Sequence, residues 1–448
     1  MLDSAIALVL FIILMIIGYY FPHKSGWGAL YIVPLLGPTW FTLLGSSIIP
    51  LNAYKIGFAI SIGVFFKMIS LSHYSFISLR NSLFFKILIT YIAMIIFITV
   101  GELDELKKVL FTFIPNHFFA IILSFVLIKD QKSLEKLIRI YVWMGVIIAA
   151  TVFIEFFTDY NIQLIIASTI PDWVGELPVK AKTSSTVYTR MGIYRASGLY
   201  GAPGPTGYML SFLLPLAIWY AITKKGILIR YIPPILIFFA ILFLMTRIVL
   251  ISVAISFIVI MYYFLRQKNI RKYIARIIIA FLFISVVIIT VYPQIIETLR
   301  IYFSLIIFDT INDTGQLGIS DRFGRLSRAL AIWWESPLWG QLVSPMKGYL
   351  VFMNSDDTPT PFLYLICGGI PLCAIYTFLY LKMPMDINRL FSIINIDEKT
   401  KLLIMFSCSA VIAGICNEYY YTLQTHIFMM YMLYIGFYNS FISKTNFV

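Results

Sequence analysis

The residues best equipped for chemistry in this chain are seven arginines that fall between apolar segments: Arg190, Arg195, Arg247, Arg300, Arg322, Arg325 and Arg328. A guanidinium fork meets two oxygens at once, so arginines clustered beside a membrane point to binding of phosphate or of acidic sugars. The structural alternative is pairing with carboxylates, and Asp159, Asp172, Glu176, Glu297, Asp309, Asp313, Asp321, Glu335, Asp356 and Asp357 are enough to neutralise several.

Three of the arginines share one stretch, SDRFGRLSRALAIWWESPLWGQ, from Ser320 to Gln341. Its spacing predicts a helix from Asp321 to Glu335, capped by Ser320 and stopped by Pro337. At 100° per residue Arg322, Arg325 and Arg328 lie on one arc, with Phe323, Leu326, Leu330, Trp333 and Trp334 on the adjoining one. Such a helix suits the bilayer interface, its aromatic side in the acyl boundary and its guanidinium groups level with lipid phosphates. There it holds a lipid-linked anion, or its arginines touch only bulk phospholipid.

Stepping outward to what must position these groups, the chain is 60% hydrophobic and 12% charged, with a mean hydropathy of +0.90 over 448 residues. No soluble domain buries that much apolar surface, so the expected fold is an all-α integral membrane protein forming a single domain over residues 1–448. The net charge of +13 is scattered between apolar spans rather than gathered in one solvated block. It is therefore read as membrane topology, and nucleic acid is not an expected partner. The first apolar run, 5–21, lacks a basic flank and a cleavage site and reads as a span. Cys367, Cys373, Cys408 and Cys416 have neither metal-type nor redox-type spacing and read as small packing residues.

Segments long enough to cross a ~30 Å core fall near 5–21, 29–48, 53–72, 83–100, 109–128, 138–158, 204–222, 230–246, 247–265, 275–292, 361–381, 401–417 and 422–441. The expectation is a bundle of about 12–13 transmembrane helices, each of about 20 residues. The second segment is interrupted by Pro34, Gly37 and Pro38 and can be broken or re-entrant. The short connections 73–86, 129–139, 222–230, 266–276 and 382–401 are basic and fall on one side if the spans alternate. By the positive-inside rule that side is cytoplasmic. The long connections 159–203 and 293–360, the turn Met245-Thr246-Arg247 and the N-terminus then face outward, and the second long loop carries the amphipathic helix.

Two further patterns flank these loops. Tyr194–Leu210, YRASGLYGAPGPTGYML, is a Gly/Pro turn leading straight into a span, where backbone can approach a ligand or another helix closely. The second long loop ends in Asn354-Ser-Asp-Asp-Thr-Pro-Thr-Pro361 and enters a span interrupted by Gly368, Gly369 and Pro371. No internal repeat of the kind that marks many transporters is present.

Taken in order, these residues resemble the O-antigen polymerases and O-antigen ligases, polytopic proteins of bacterial envelope polysaccharide assembly. The resemblance rests on Arg195-Ala-Ser-Gly198-Leu-Tyr-Gly-Ala-Pro203, on Thr246-Arg247, and on Arg325 to Trp333 followed by Pro337-Leu338-Trp339-Gly340. Gly369-Ile370-Pro371 completes it, and Arg190 with Gly201 matches the arginine, ten residues and glycine associated with polymerase outer loops. It covers about residues 190 to 375. Ligases carry a histidine eleven residues before the span glycine; here that position is Thr358 or Asp357, and no histidine lies between His117 and His426.

The resemblance implies a polymerase in the bacterial inner membrane, with its active site facing the periplasm. It would transfer the growing glycan from undecaprenyl diphosphate to a lipid-linked repeat unit, without metal or other cofactor. Arg190, Arg195, Arg247, Arg322, Arg328 and Trp333 would bind diphosphate or glycan, and Arg325 would stabilise the charge that develops as the bond breaks. A carboxylate must deprotonate the acceptor hydroxyl; Asp357 or Asp356 is the expected base, with Glu335 behind them, although Asp-Asp-Thr-Pro is also an ordinary capped turn. The implied partners are the undecaprenyl-diphosphate-linked oligosaccharide, membrane lipids, and the chain-length regulator and flippase of the same pathway. The alternatives are a ligase serving a lipid core or other acceptor, and a lipid-linked oligosaccharide flippase or transporter.

Overall fold

A computed structural model describes residues 2–36, 42–43, 51–70, 80–110, 114–158, 162, 175–176, 189–190, 193–194, 196–224, 226, 229–244, 246–265, 279, 283, 286, 290, 319–343, 360–392, 396–418 and 424–443. The chain is helical. Its helices are α1 (Leu2–Tyr20), α2 (Pro22–Leu36), α3 (Ala53–Ser70), α4 (Leu83–Thr99), α5 (Leu103–Lys108), α6 (Ile114–Leu127) and α7 (Gln131–Thr158). They continue as α8 (Pro203–Thr223), α9 (Ile232–Phe243), α10 (Arg247–Leu265), α11 (Ile319–Trp334), α12 (Thr360–Arg389), α13 (Glu398–Glu418) and α14 (Gln424–Phe437).

Among the described residues four helical stretches are long and apolar enough to cross a membrane by length and composition: Gln131–Thr158, Pro203–Thr223, Thr360–Ser392 and Glu398–Asn417. Shorter apolar helices accompany them, among them Leu83–Thr99 and Ile248–Tyr263. The outer faces of the bundle leave large apolar side chains exposed, such as Leu8, Val9, Ile12 and Ile16 on α1 and Phe378, Leu381 and Met385 on α12. Apolar surface directed outward suits a lipid environment, and the chain is described here as a helical membrane protein.

The helices fall on the apolar runs, with ends displaced by the local chemistry. In the segment expected at 29–48 the structure describes a helix over Pro22–Leu36 that runs through Pro34, while Gly37 and Pro38 lie outside the described residues. The segment at 275–292 lies largely outside the described residues.

Polar contacts between helices define two ends of the bundle. At one, Glu135 at the start of α7 accepts from Lys399 Nζ at both oxygens, at 2.7 Å each, and also from Gln131 and Arg139, while Gln131 Nε2 donates to Thr400 Oγ1 at 2.9 Å. Lys136 stands over the Trp27 ring at 4.3 Å, and Tyr434 donates to Asp386, which Lys382 also pairs. The basic connections 129–139 and 382–401 are thereby brought to the same end. Glu155 marks the opposite end of α7. Lys67, an ionisable residue of an apolar span, lies over the Tyr19 ring at 4.9 Å.

Between the two ends the core is aromatic. Tyr91 and Tyr364 share a 2.6 Å hydrogen bond between α4 and α12, with the tilted rings of Tyr376 and Tyr380 packed beside them. The four cysteines are free thiols in or beside this packing, as expected for small core residues.

Candidate functional site

The Gly/Pro turn before α8 is held by a side chain from another helix. Glu155, fully buried in the last turn of α7, accepts at Oε2 from Ser197 N (2.6 Å), Ser197 Oγ (2.9 Å) and Gly198 N (2.8 Å). Its Oε1 accepts from Ile162 N at 2.8 Å. Thr151, one turn earlier, accepts from Leu199 N at 3.0 Å, and Thr206 Oγ1 in the first turn of α8 donates to the Ser197 carbonyl. Tyr200 then reaches across to the Pro34 carbonyl at the end of α2, at 2.6 Å. Buried backbone groups in a turn need partners, and this turn finds them in hydroxyl and carboxylate side chains rather than in water.

The turn before α10 meets the same end. Gly207 of α8 lies so close to α10 that a Cβ there would stand 2.5 Å from Val249 Cγ2. Asn417, at the end of α13, donates to Ser211 Oγ at 2.8 Å and to the Tyr208 carbonyl at 3.2 Å, and accepts from Ser252 Oγ at 2.7 Å. One buried carboxamide thus joins α8, α10 and α13. Nothing in the spacing marks Asn417; its one sequence signal is a carboxamide at the end of an apolar run.

The second constellation is built from backbone. Helix α12 is broken at Gly368 (φ −135°, ψ 16°) and Gly369 (φ 65°, ψ −162°), so the helical bond between the Ile366 carbonyl and the Ile370 amide is not made. The turn that follows α11 fills the gap. Gln341 N donates to the Ile366 carbonyl at 2.6 Å, and Ile370 N donates to the Pro337 carbonyl at 3.2 Å. Within the turn Gly340 N donates to the Ser336 carbonyl at 2.8 Å, and Trp333 Nε1 to the Pro337 carbonyl at 3.0 Å. Both backbone groups freed by the break are satisfied by a segment from another part of the chain, as an apolar environment demands.

Of the expected site residues, Arg328 is exposed on α11 and Trp333 is half-buried. The indole N–H of Trp333 is spent on the turn rather than turned outward. Glu335 is exposed and accepts from Gln341 Nε2 at 3.3 Å. Arg322 and Arg325 lie on α11, and Arg247 opens α10. Arg190 belongs to a two-residue pairing in which Thr189 and Arg190 face Tyr194 and Ile193. Arg195, Asp356 and Asp357 lie outside the described residues, as does Thr358.

Helix α11 begins at Ile319, so Ser320 stands inside it and is not its cap, and it ends at Trp334 rather than Glu335. Its buried face centres on Ala329 (1% exposed), which shares a face with positions 322, 325, 326 and 333 by helical spacing. Trp334 is 74% exposed, and Leu338, Trp339 and Leu342 after it are also exposed. Among the described residues no three His, Cys, Asp or Glu side chains gather as a metal ion would require.

Neither a protein-family model nor a curated protein matches the chain.

Proposed function

We propose that this protein is a membrane glycosyltransferase that polymerises lipid-linked oligosaccharide repeat units, an O-antigen-type polymerase. The observation that carries this reading is the seating of Pro337–Gln341 in the α12 break, which brings together two of the motifs on which the resemblance rests. The approach of α8, which the Ser197–Pro203 turn leads into, to the start of α10 at Gly207 and Val249 adds the other two.

In this reading the Glu155 end faces outward, and the bundle has about 12–13 spans of about 20 residues each. The loops 159–203 and 293–360 then cover a cavity open to the outer leaflet of a bacterial inner membrane. The exposed Trp334, Leu338 and Trp339 sit in the acyl boundary, beside the site rather than in it.

The reaction breaks the C1–O bond between the growing glycan and its undecaprenyl diphosphate and forms a new C1–O bond to a hydroxyl of the incoming repeat unit. The acceptor proton passes to a carboxylate, Asp357 or Asp356, and the carrier diphosphate leaves as an anion. The diphosphate is already a competent leaving group, so the main task is to stabilise its charge. Guanidinium groups do that through charge-assisted bidentate bonds, and Arg195, Arg247 and Arg325 are assigned to it, with Arg190, Arg322 and Arg328 around the glycan.

The test is reconstitution of the purified protein with lipid-linked repeat units as its only substrate, read by gel. Longer lipid-linked glycans are expected. A requirement for a second acceptor would make the protein a ligase, and movement across the bilayer without covalent change would make it a flippase.

A further inference from the structure

Glu155 has no place in the chemistry above, yet it is fully buried and accepts four hydrogen bonds. Its two oxygens serve different parts of the chain. Oε1 holds Ile162, on the segment leaving α7, and Oε2 holds Ser197 and Gly198, on the segment returning into α8. One side chain therefore closes the base of the whole excursion between α7 and α8, the excursion that carries Arg190 and, two residues before Ser197, Arg195.

We propose that Glu155 is a positioning residue, a clasp that fixes the Ser197–Gly198 turn, which follows Arg195 by two residues in the chain. The inference rests on the reading of this end as the diphosphate site. The chemistry of the clasp is specific to a carboxylate. All four groups directed at it are donors: three backbone amides and the Ser197 hydroxyl. A carboxylate presents only acceptors to them, whereas the carboxamide of the same shape turns an NH2 group against at least one donor. Thr151 and Thr206 hold the neighbouring Leu199 amide and Ser197 carbonyl, so the turn is tied at three successive residues and Glu155 supplies the part that also reaches Ile162.

A displaced charge-stabilising group costs turnover more than binding, because an error of about 1 Å in the reacting geometry can cost on the order of 10²-fold. The experiment compares wild type, Glu155→Gln and Thr151→Val, the last removing the Leu199 acceptor together with the Thr151 hydroxyl's own bond to the Ile148 carbonyl within α7, in two measurements. Amide hydrogen exchange across 196–202 reads the clasp itself. Elongation of lipid-linked repeat units, with kcat and KM determined separately, reads its service to the site.

For Glu155→Gln the expected result is exchange at least about tenfold faster at Ser197 and Gly198 and kcat lower by about 10–100-fold, with KM within about threefold. Thr151→Val should move both in the same direction by less, and it carries the test if Glu155→Gln does not fold. Unchanged exchange would overturn the clasp. Faster exchange with undiminished kcat would overturn the positioning role. Wild-type protein that protects 196–202 through Glu155 but elongates nothing would instead sink the polymerase reading, and the two failures are thus told apart.

Discussion

Gly340 and Gly369 lie with their backbones against each other, each at a positive φ, of 64° and 65°. A Cβ on Gly340 would stand 2.6 Å from Gly369 N, and one on Gly369 would stand 2.7 Å from Trp339 N and closer still to the Leu338 carbonyl oxygen. Neither neighbour is a flexible side chain that could give way. At Gly369 the ψ of −162° adds a conformation that only glycine adopts readily. The approach is what lets Pro337 and Gln341 take over the bonds of Ile370 and Ile366.

Gly369→Ala should therefore unseat the turn, costing about 1–3 kcal/mol from backbone strain alone. The check is the thermal midpoint in detergent, compared with Gly101→Ala, where an added Cβ meets nothing within 4 Å. The Gly369 variant should melt several degrees lower and the Gly101 variant like wild type. Equal midpoints would count against the interlock.

Arg195, two residues before the turn that Glu155 holds, and Arg247, the first residue of α10, are both assigned to the carrier diphosphate. Lysine keeps the charge and loses the bidentate fork. Arg195→Lys with Arg247→Lys should abolish or nearly abolish polymer formation at normal protein levels. Intact polymerisation would make a specific diphosphate clamp untenable.

The three arginines of α11 are not equivalent. Arg328 is exposed, whereas position 325 stands one turn before the buried Ala329 on the same face. Arg325→Ala should lower elongation by about 10²–10³-fold, as loss of a donor to developing charge does. Arg322→Ala and Arg328→Ala should have much smaller effects, since their assigned contacts are with the glycan and not with the charge that develops on the leaving diphosphate. Turnover measured at equal membrane levels decides it, and mild, equal losses at all three positions would reduce the helix to an interfacial anchor.

Asp357 and Asp356 are the assigned proton acceptors. Asp357→Asn should lower kcat by about 10²–10⁴-fold, the range general-base catalysis supplies, and leave binding of lipid-linked repeat units unchanged. Asp356→Asn is the matched comparison. If both variants elongate normally, the base lies elsewhere, and Glu335→Gln is the next variant to measure.

Apolar run lengths placed the helices, and glycines and prolines marked where they would break. Both are local properties: a run of apolar residues must be helical to satisfy its own backbone in lipid, and Pro371 cannot continue the bonds of the turn before it. Arg322, Arg325 and Arg328 were likewise recognisable on one helix from their three-residue spacing. What the breaks are for was not legible. Gly368 and Gly369 read as a weak point in a span, and only the fold shows that Pro337 and Gln341 occupy the missing bond. Glu155 is a charge near the end of an apolar run, but its partner Ser197 is 42 residues away. Asn417 lies more than 160 residues from Ser252, with which it bonds. Spacing along a chain encodes which residues share a face of one helix. Which faces meet is decided by the packing of all the helices at once, and the buried polar groups find their partners only there.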